Sequence, residues 1–354
     1  MPFHALGELE TNLKYYFSER FDRPLAKPHW IYVSLSHQCN FDCQMCGVKS
    51  ILTGHDLDTR LLKKAFNEIS DWHSDCVLLL TGGEPFLRKD IFEIIDDAVS
   101  RGLKTEVVSN GSLIDNPEIA GRIIDSGLQN IAVSIDGAIP ETHDRIRGVG
   151  GAHRKALEAL RYLSSEKKAR KHGPQISVWT TIMNENIEEL YDIIFLVKEL
   201  GVECLVYHPV IVSQADMQNT KAEALFWIPE ERSGLLKSQI DKIASYQKQS
   251  GLVAFLHDPY LWLEYFRGTL ARTHWKCNPF VFVNIGPDGA VSSCGKAFGN
   301  IKKMGLTSCL ESEEADVARK NMKRCPKPCL QTCWARPEAD SLSRIFKNLV
   351  SHVR

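Results

Sequence analysis

Cys39, Cys43 and Cys46 follow directly on the apolar run Ile31-Tyr32-Val33-Ser34-Leu35, at the spacing C-x3-C-x2-C. Three thiolates on one short loop can hold three irons of a [4Fe–4S] cube, whose usual complement is four cysteines. The fourth iron then keeps an open position, and an open position separates a reactive metal site from a closed structural one, as zinc sites show. Taken alone, the same triad also suits half of a zinc site, or a ferredoxin-type loop whose fourth cysteine is distant.

Other chemistry-bearing residues recur at the ends of apolar runs. Val77–Thr81 leads into Thr81-Gly82-Gly83-Glu84-Pro85, where paired glycines clear side chains so that a ligand can approach the backbone, and Pro85 fixes the exit direction. Lys104–Ser109 ends in Ser109-Asn110-Gly111, and Asn130–Ile135 in Ser134-Ile135-Asp136-Gly137. Hydroxyl, amide and carboxylate groups at such tips can reach a ribose or an amino acid carboxylate, and they are also common turn formers. His143-Asp144-Arg145-Ile146-Arg147-Gly148 follows, with Arg145 or Arg147 able to grip a carboxylate as a bidentate fork or to line a solvated helix face.

The loop Cys39-Asn40-Phe41-Asp42-Cys43-Gln44-Met45-Cys46 resembles the signature of radical S-adenosylmethionine (radical SAM) enzymes. That resemblance implies a cluster whose free iron is chelated by the amino and carboxylate groups of SAM. It implies SAM contacts from Gly82, Gly83, Glu84 and Pro85 near the methionine amino group. Ser109, Asn110, Ser134 and Asp136 then serve the ribose and carboxylate, with Arg145 or Arg147 on the carboxylate. The residue before the third cysteine is often aromatic in the family; here it is Met45, whose sulfur can pack on adenine, with Phe41 as the substitute.

A second cysteine region runs from Cys277 to Cys333. Pro-Asp-Gly at 287–289 between apolar runs is a hairpin signal, placing Cys277 before its first strand and Cys294 after its second. Cys325, Cys329 and Cys333 recur every fourth residue. Four cysteines also make a structural zinc site. The pattern is similar to the SPASM and twitch extensions of radical SAM enzymes, and five cysteines match the shorter twitch type. That implies one auxiliary [4Fe–4S] cluster held by Cys277, Cys294 and two of the last three, passing electrons rather than binding SAM. Of the remaining cysteines, Cys76 and Cys204 read as small buried hydrophobes, and Cys309 stands alone.

The elements that must position these residues read as successive βα units. Strands are expected at Ile31–Leu35, Val77–Thr81, Lys104–Ser109, Asn130–Ile135, Ile176–Ile182 and Cys204–Tyr207. Helices are expected near Asp58–Trp72, Ile91–Arg101, Pro117–Ser126, Lys155–Lys167 and Ile187–Leu200, and a further amphipathic one at Glu230–Ser250. Six strands are fewer than a closed barrel needs. The fold class is therefore α/β, a partial (β/α)6 TIM barrel with a small C-terminal twitch-like Fe–S domain. The expected divisions are a helical lead-in (1–28), the core (29–210), a helical linker (211–270), the auxiliary domain (271–338) and an amphipathic tail (339–354).

The bulk numbers bound the rest. The 354 residues are 44% apolar, enough for a sizeable core, and the net charge of −1 carries no footprint for nucleic acid. Eleven cysteines, eight of them in two clusters, point to metal ligands rather than disulfides, no apolar run has the length of a bilayer span, and cytoplasm is the expected compartment. The resemblance implies an oxidoreductase or related enzyme. A one-electron donor such as flavodoxin or ferredoxin reduces the cluster, SAM is cleaved to a 5′-deoxyadenosyl radical, and hydrogen is abstracted from substrate. About thirty residues ahead of the first strand leave no room for a peptide-recognition domain, which tilts the substrate towards a small, carbohydrate-like molecule. The alternatives are a peptide-modifying maturase and a non-catalytic electron-transfer protein. Substrate-facing candidates are His208, His257 and Asp258, each with an equally ordinary structural role. The tail Ser341–Arg354 is amphipathic and suits docking on its own domain, a partner or a membrane surface.

Overall fold

The computed structural model describes residues 2–47, 56–72, 75–211, 226–254, 258–270, 278–325 and 330. His257, Cys277, Cys329, Cys333 and the tail lie outside the described residues.

Six strands form on the expected segments: β1 (Trp30–Ser34), β2 (Val77–Thr81), β3 (Lys104–Ser109), β4 (Asn130–Ser134), β5 (Gln175–Ile182) and β6 (Cys204–Pro209). Each pairs in parallel with the next. Their alternation is muted, as in β2 where Val77–Leu80 are all buried, because helices cover one face and the barrel interior the other. Those helices are α2 (Thr59–Ser70), α3 (Ile91–Ser100), α4 (Pro117–Asp125), α5 (Pro140–Arg147), α6 (Ala152–Arg170) and α7 (Leu190–Glu199), after the N-terminal α1 (Pro2–Phe21). Asn116 caps α4 by accepting from the Ile119 N–H at 3.0 Å, with Pro117 in the first turn where its missing donor costs nothing. α5 was not expected as an element: it is eight residues long and predominantly polar, so it lacks an apolar stripe.

Two further parallel strands flank the six. β7 (Val253–Ala254), after α8 (Ser233–Ser250), pairs with β6, and β8 (Phe282–Ile285), after α9 (Leu261–Phe266), pairs with β1. The expected hairpin forms, with β8 antiparallel to β9 (Ala290–Ser293) and β9 to β10 (Lys296–Asn300). It does not stand apart from the core. One ten-stranded sheet runs β10-β9-β8-β1-β2-β3-β4-β5-β6-β7, so the C-terminal region extends the edge at β1. α10 (Leu306–Leu310) and α11 (Glu313–Lys323) close the chain's described part, and one continuous core joins Ile31 and Val33 to Val283, Ile285 and Leu306. No helix among the described residues is long and apolar enough to cross a membrane.

Candidate active site

A cavity of about 380 Å³ opens at the carboxyl ends of β1–β6, where parallel sheets bind ligands. The cysteine loop forms one wall, with Cys39, Phe41, Cys43, Met45 and Cys46 lining it. The strand tips Gly82, Gly83, Ser109, Asn110 and Ser134 form the next, and Trp179, Thr181 and His208 the far side.

The loop is clamped from two directions. Gly83 N–H donates to Ser36 O at 2.7 Å and Glu84 N–H to Gln38 O at 2.9 Å. A Cβ on Gly83 would stand 1.9 Å from the Gln38 carbonyl oxygen, and one on Gly82 2.6 Å from Ser36 O. Both glycines line the cavity, yet the backbone that approaches them most closely is the chain's own, at the entry to the cysteine loop. From the other side Asp42 N–H donates to Arg147 O at 3.2 Å and Gln44 N–H to Ile146 O at 2.9 Å. Gly148 ends α5 at φ +68, and a Cβ there would meet Asp42 O at 2.1 Å.

Donors face the sulfurs. Arg147 Nη1 lies 3.9 Å from Cys43 Sγ, Asn110 Nδ2 4.0 Å from Cys39 Sγ, and the Phe41 N–H 3.4 Å from Cys39 Sγ. Asn110 also donates to Asn40 Oδ1 at 2.9 Å, which ties the β3 tip to the loop. Burial pushes the Cys43 thiol up to about 11, with Arg147 opposing it. Among the described residues no three metal-ligating side chains converge on a single ion. A cube takes each thiolate at a separate corner, so three sulfurs spread around one cavity, with hydrogen-bond donors aimed at two of them, fit it.

The other expected residues divide between cavity wall and scaffold. Glu84 is 1% exposed and serves the wall from behind: its carboxylate accepts from Ser109 Oγ (2.9 Å), Asn110 N (2.7 Å) and Phe86 N (3.1 Å). Pro85 is buried and opens a short 3-10 turn. Asp136 is fully buried, accepting from the Thr181 N–H at 2.8 Å and pairing with Arg147 at 2.5 Å. Arg147 lines the cavity, whereas Arg145 sits half-exposed outside it on Glu185 at 2.8 Å. Asp258 is exposed and accepts from the Tyr260 N–H, a turn role at the start of α9. His208 is half-buried in the wall, and burial pushes it down to about 4, leaving a neutral imidazole 3.4 Å from Thr181 Oγ1.

Sequence reasoning missed Trp179, Thr181 and Asn186. Trp179 and Thr181 stand in register with Val206 and His208 on the half-buried face of β5, and a Trp within a buried parallel strand was the available signal. Asn186 is wholly buried: Nδ2 donates to Asp136 O (2.9 Å) and Thr181 O (2.7 Å), and Oδ1 accepts from the Met183 N–H (3.0 Å).

Burial raises the Glu84 carboxyl from an ordinary 4.5 to about 7, against its three hydrogen bonds. With the folded value above the unfolded one, the native state binds the extra proton, and stability falls as pH rises from about 4.5 to 7, by up to about 3 kcal/mol. Urea midpoints of wild type and Glu84→Gln at pH 5 and pH 8 isolate this: wild type is expected to lose ground to the variant as pH rises. A difference independent of pH contradicts the assignment.

Residues 33–206, the span holding the triad and the cavity tips of β2–β5, match the family described as Radical SAM superfamily. This span is a radical SAM domain. It is 35% identical over 184 residues to an AdoMet-dependent heme synthase of Methanosarcina barkeri, covering 51% of this chain and 50% of that relative. It is 27% identical to a PqqA peptide cyclase of Bradyrhizobium diazoefficiens (53% and 47% covered) and 31% identical to the mycofactocin maturase MftC of Mycobacterium tuberculosis (52% and 45%). The chain thus spans about half the length of the curated relatives it matches. Among solved structures, Streptococcus suis SuiB bound to S-adenosylmethionine superposes with a TM-score of 0.66 at 12% identity, over 89% of this chain and 78% of that one. anSMEcpe with bound AdoMet and Cp18Cys peptide gives 0.62 at 15%, over 92% and 96%. At these identities the likeness is one of fold. The radical SAM cofactors are a [4Fe–4S] cluster and SAM.

Proposed function

We propose that Cys39, Cys43 and Cys46 hold the SAM-binding cluster and that this chain abstracts hydrogen from a substrate at the barrel mouth. The observation that supports it is the gathering of three thiols, two sulfur-facing side-chain donors and the tips of β2–β6 around one cavity. When bound, the cluster supplies the electron that splits SAM into methionine and a 5′-deoxyadenosyl radical. The chain's own residues bind and orient. Met45 faces the adenine, the Gly82-Gly83 backbone and Asn110 take the methionine end, and Ser109 and Ser134 the ribose. Arg147 takes the carboxylate, a role its cavity position gives it over Arg145. Glu84, Pro85 and Asp136 hold these groups from behind. Val108, Trp179 and Val210 exclude water from the wall opposite the loop.

Cys294 and Cys325 fit an auxiliary cluster. Cys294 occupies the first position of the two-residue β9–β10 turn at φ +49, beside Gly295 at φ +74. Asn or Gly suits that conformation and a thiol does not, so a cysteine there marks a local cost of about 1–2 kcal/mol, typical of functional sites. Burial raises its thiol, and Cys325 adds to that from 31 residues further along the chain.

The substrate is a small molecule or a peptide. The heme synthases favour the first reading, the peptide cyclase and maturase the second. Oxygen-free reconstitution is expected to give about eight irons per chain from two cubes. Dithionite then releases 5′-deoxyadenosine from SAM, and alanine at any of Cys39, Cys43 and Cys46 abolishes that release. Two assembled clusters with SAM left intact would identify an electron carrier instead.

A further inference from the structure

Arg147 reaches the cysteine loop twice. Its carbonyl accepts from the Asp42 N–H at 3.2 Å, and its Nη1 lies 3.9 Å from Cys43 Sγ. The guanidinium is nearly buried, and its other terminal nitrogen, Nη2, pairs with Asp136 at 2.5 Å. Asp136 is itself held on every side: Oδ1 by the Thr181 N–H, its carbonyl by Asn186 Nδ2, and its own N–H by His143 Nδ1 at 3.1 Å. A positive charge is therefore fixed beside one cluster sulfur, with its counter-charge fixed on its other terminal nitrogen.

We propose that the Asp136–Arg147 pair tunes the reduction potential of the cluster on Cys39, Cys43 and Cys46, with Arg147 raising it and Asp136 tempering that rise. The inference rests on the cluster assignment above. Reduction adds one electron, delivered by dithionite in the test, to the cluster, and breaks no bond. The added negative charge is stabilised by a cation at hydrogen-bond range of a ligand sulfur, more strongly where water is excluded. Asp136 acts in the opposite sense from further away. It is a positioning residue because it orients the guanidinium, and it never touches the sulfur.

The test is an EPR-monitored redox titration of reconstituted protein without SAM, following the signal that changes when SAM is later added. Arg147→Gln is expected to disfavour reduction about tenfold, a shift of about −59 mV for a one-electron couple. Asp136→Asn, which keeps an acceptor for Thr181, is expected to shift the potential the other way by a smaller amount. Arg147→Lys, retaining the charge, is expected to stay near wild type, and it carries the comparison with Asp136→Asn should Arg147→Gln fail to load. Unshifted potentials, or shifts of the same sign in the Gln and Asn variants, overturn the proposal. A role for Arg147 confined to SAM predicts no shift in this SAM-free titration. Wild type that binds no iron at the triad overturns the cluster assignment itself, and this inference with it.

Discussion

Alanine at Gly83 is expected to strip the cysteine loop of its iron while the rest of the barrel still folds. The added Cβ falls 1.9 Å from the Gln38 carbonyl oxygen and 2.5 Å from its carbon. Both are backbone atoms one residue ahead of Cys39, so no side-chain rotation relieves the overlap. The turn and the loop entry must separate, losing the Gly83–Ser36 and Glu84–Gln38 hydrogen bonds. Overpacking on this scale costs about 3 kcal/mol. Gly148→Ala strikes from the opposite side, adding the cost of a side chain at φ +68 to an overlap with Asp42 O. Gly150 is the control: nothing lies within 4 Å of a Cβ there, so Gly150→Ala should load iron as wild type does. Iron content and far-ultraviolet circular dichroism read the three variants side by side. Normal iron in both Gly83→Ala and Gly148→Ala would refute the clamp.

Asn186→Ala is expected to be the most destabilising change to a single uncharged side chain described above. It removes a wholly buried amide that satisfies two carbonyls and one N–H, all on backbone. Leaving a buried partner unsatisfied costs about 1–3 kcal/mol each, so a loss of about 4 kcal/mol is expected. Asn186→Asp keeps the acceptor for Met183 but sets a carboxylate against the Asp136 and Thr181 carbonyls, and should be at least as severe. Urea unfolding of the metal-free chain measures both. A loss under about 1 kcal/mol would mean the Asp136–Thr181 corner holds itself without the amide.

Five of the six central strands were legible as compact apolar runs between turn signals, β3 (Lys104–Ser109) by its Val107-Val108 core and its place in the βα order, and the hairpin because Pro287-Asp288-Gly289 announces it. The position of that hairpin was not legible. β8 pairs with β1 across some 250 residues of sequence, and nothing in either strand names its partner. Gly82 and Gly83 read in sequence as places where a ligand approaches the backbone; the backbone filling the space they leave belongs to Ser36 and Gln38. Arg145 and Arg147 look alike in sequence; two positions apart on a helix, they point to different sides, and only Arg147 faces the cavity. Asn186, four residues beyond a strand, carried no signal because its partners are main-chain atoms.

The double clamp also sets a schedule for cluster assembly. The cysteines leave the ribosome before their second support, at Ile146–Gly148, which follows Cys46 by a hundred residues. Until β1–β4 and α5 have folded, the three thiols hang on an unsupported strand of nascent chain, free to scavenge stray metal or to oxidise. Iron delivery timed before that point would meet a floppy chelator; timed after it, a rigid socket.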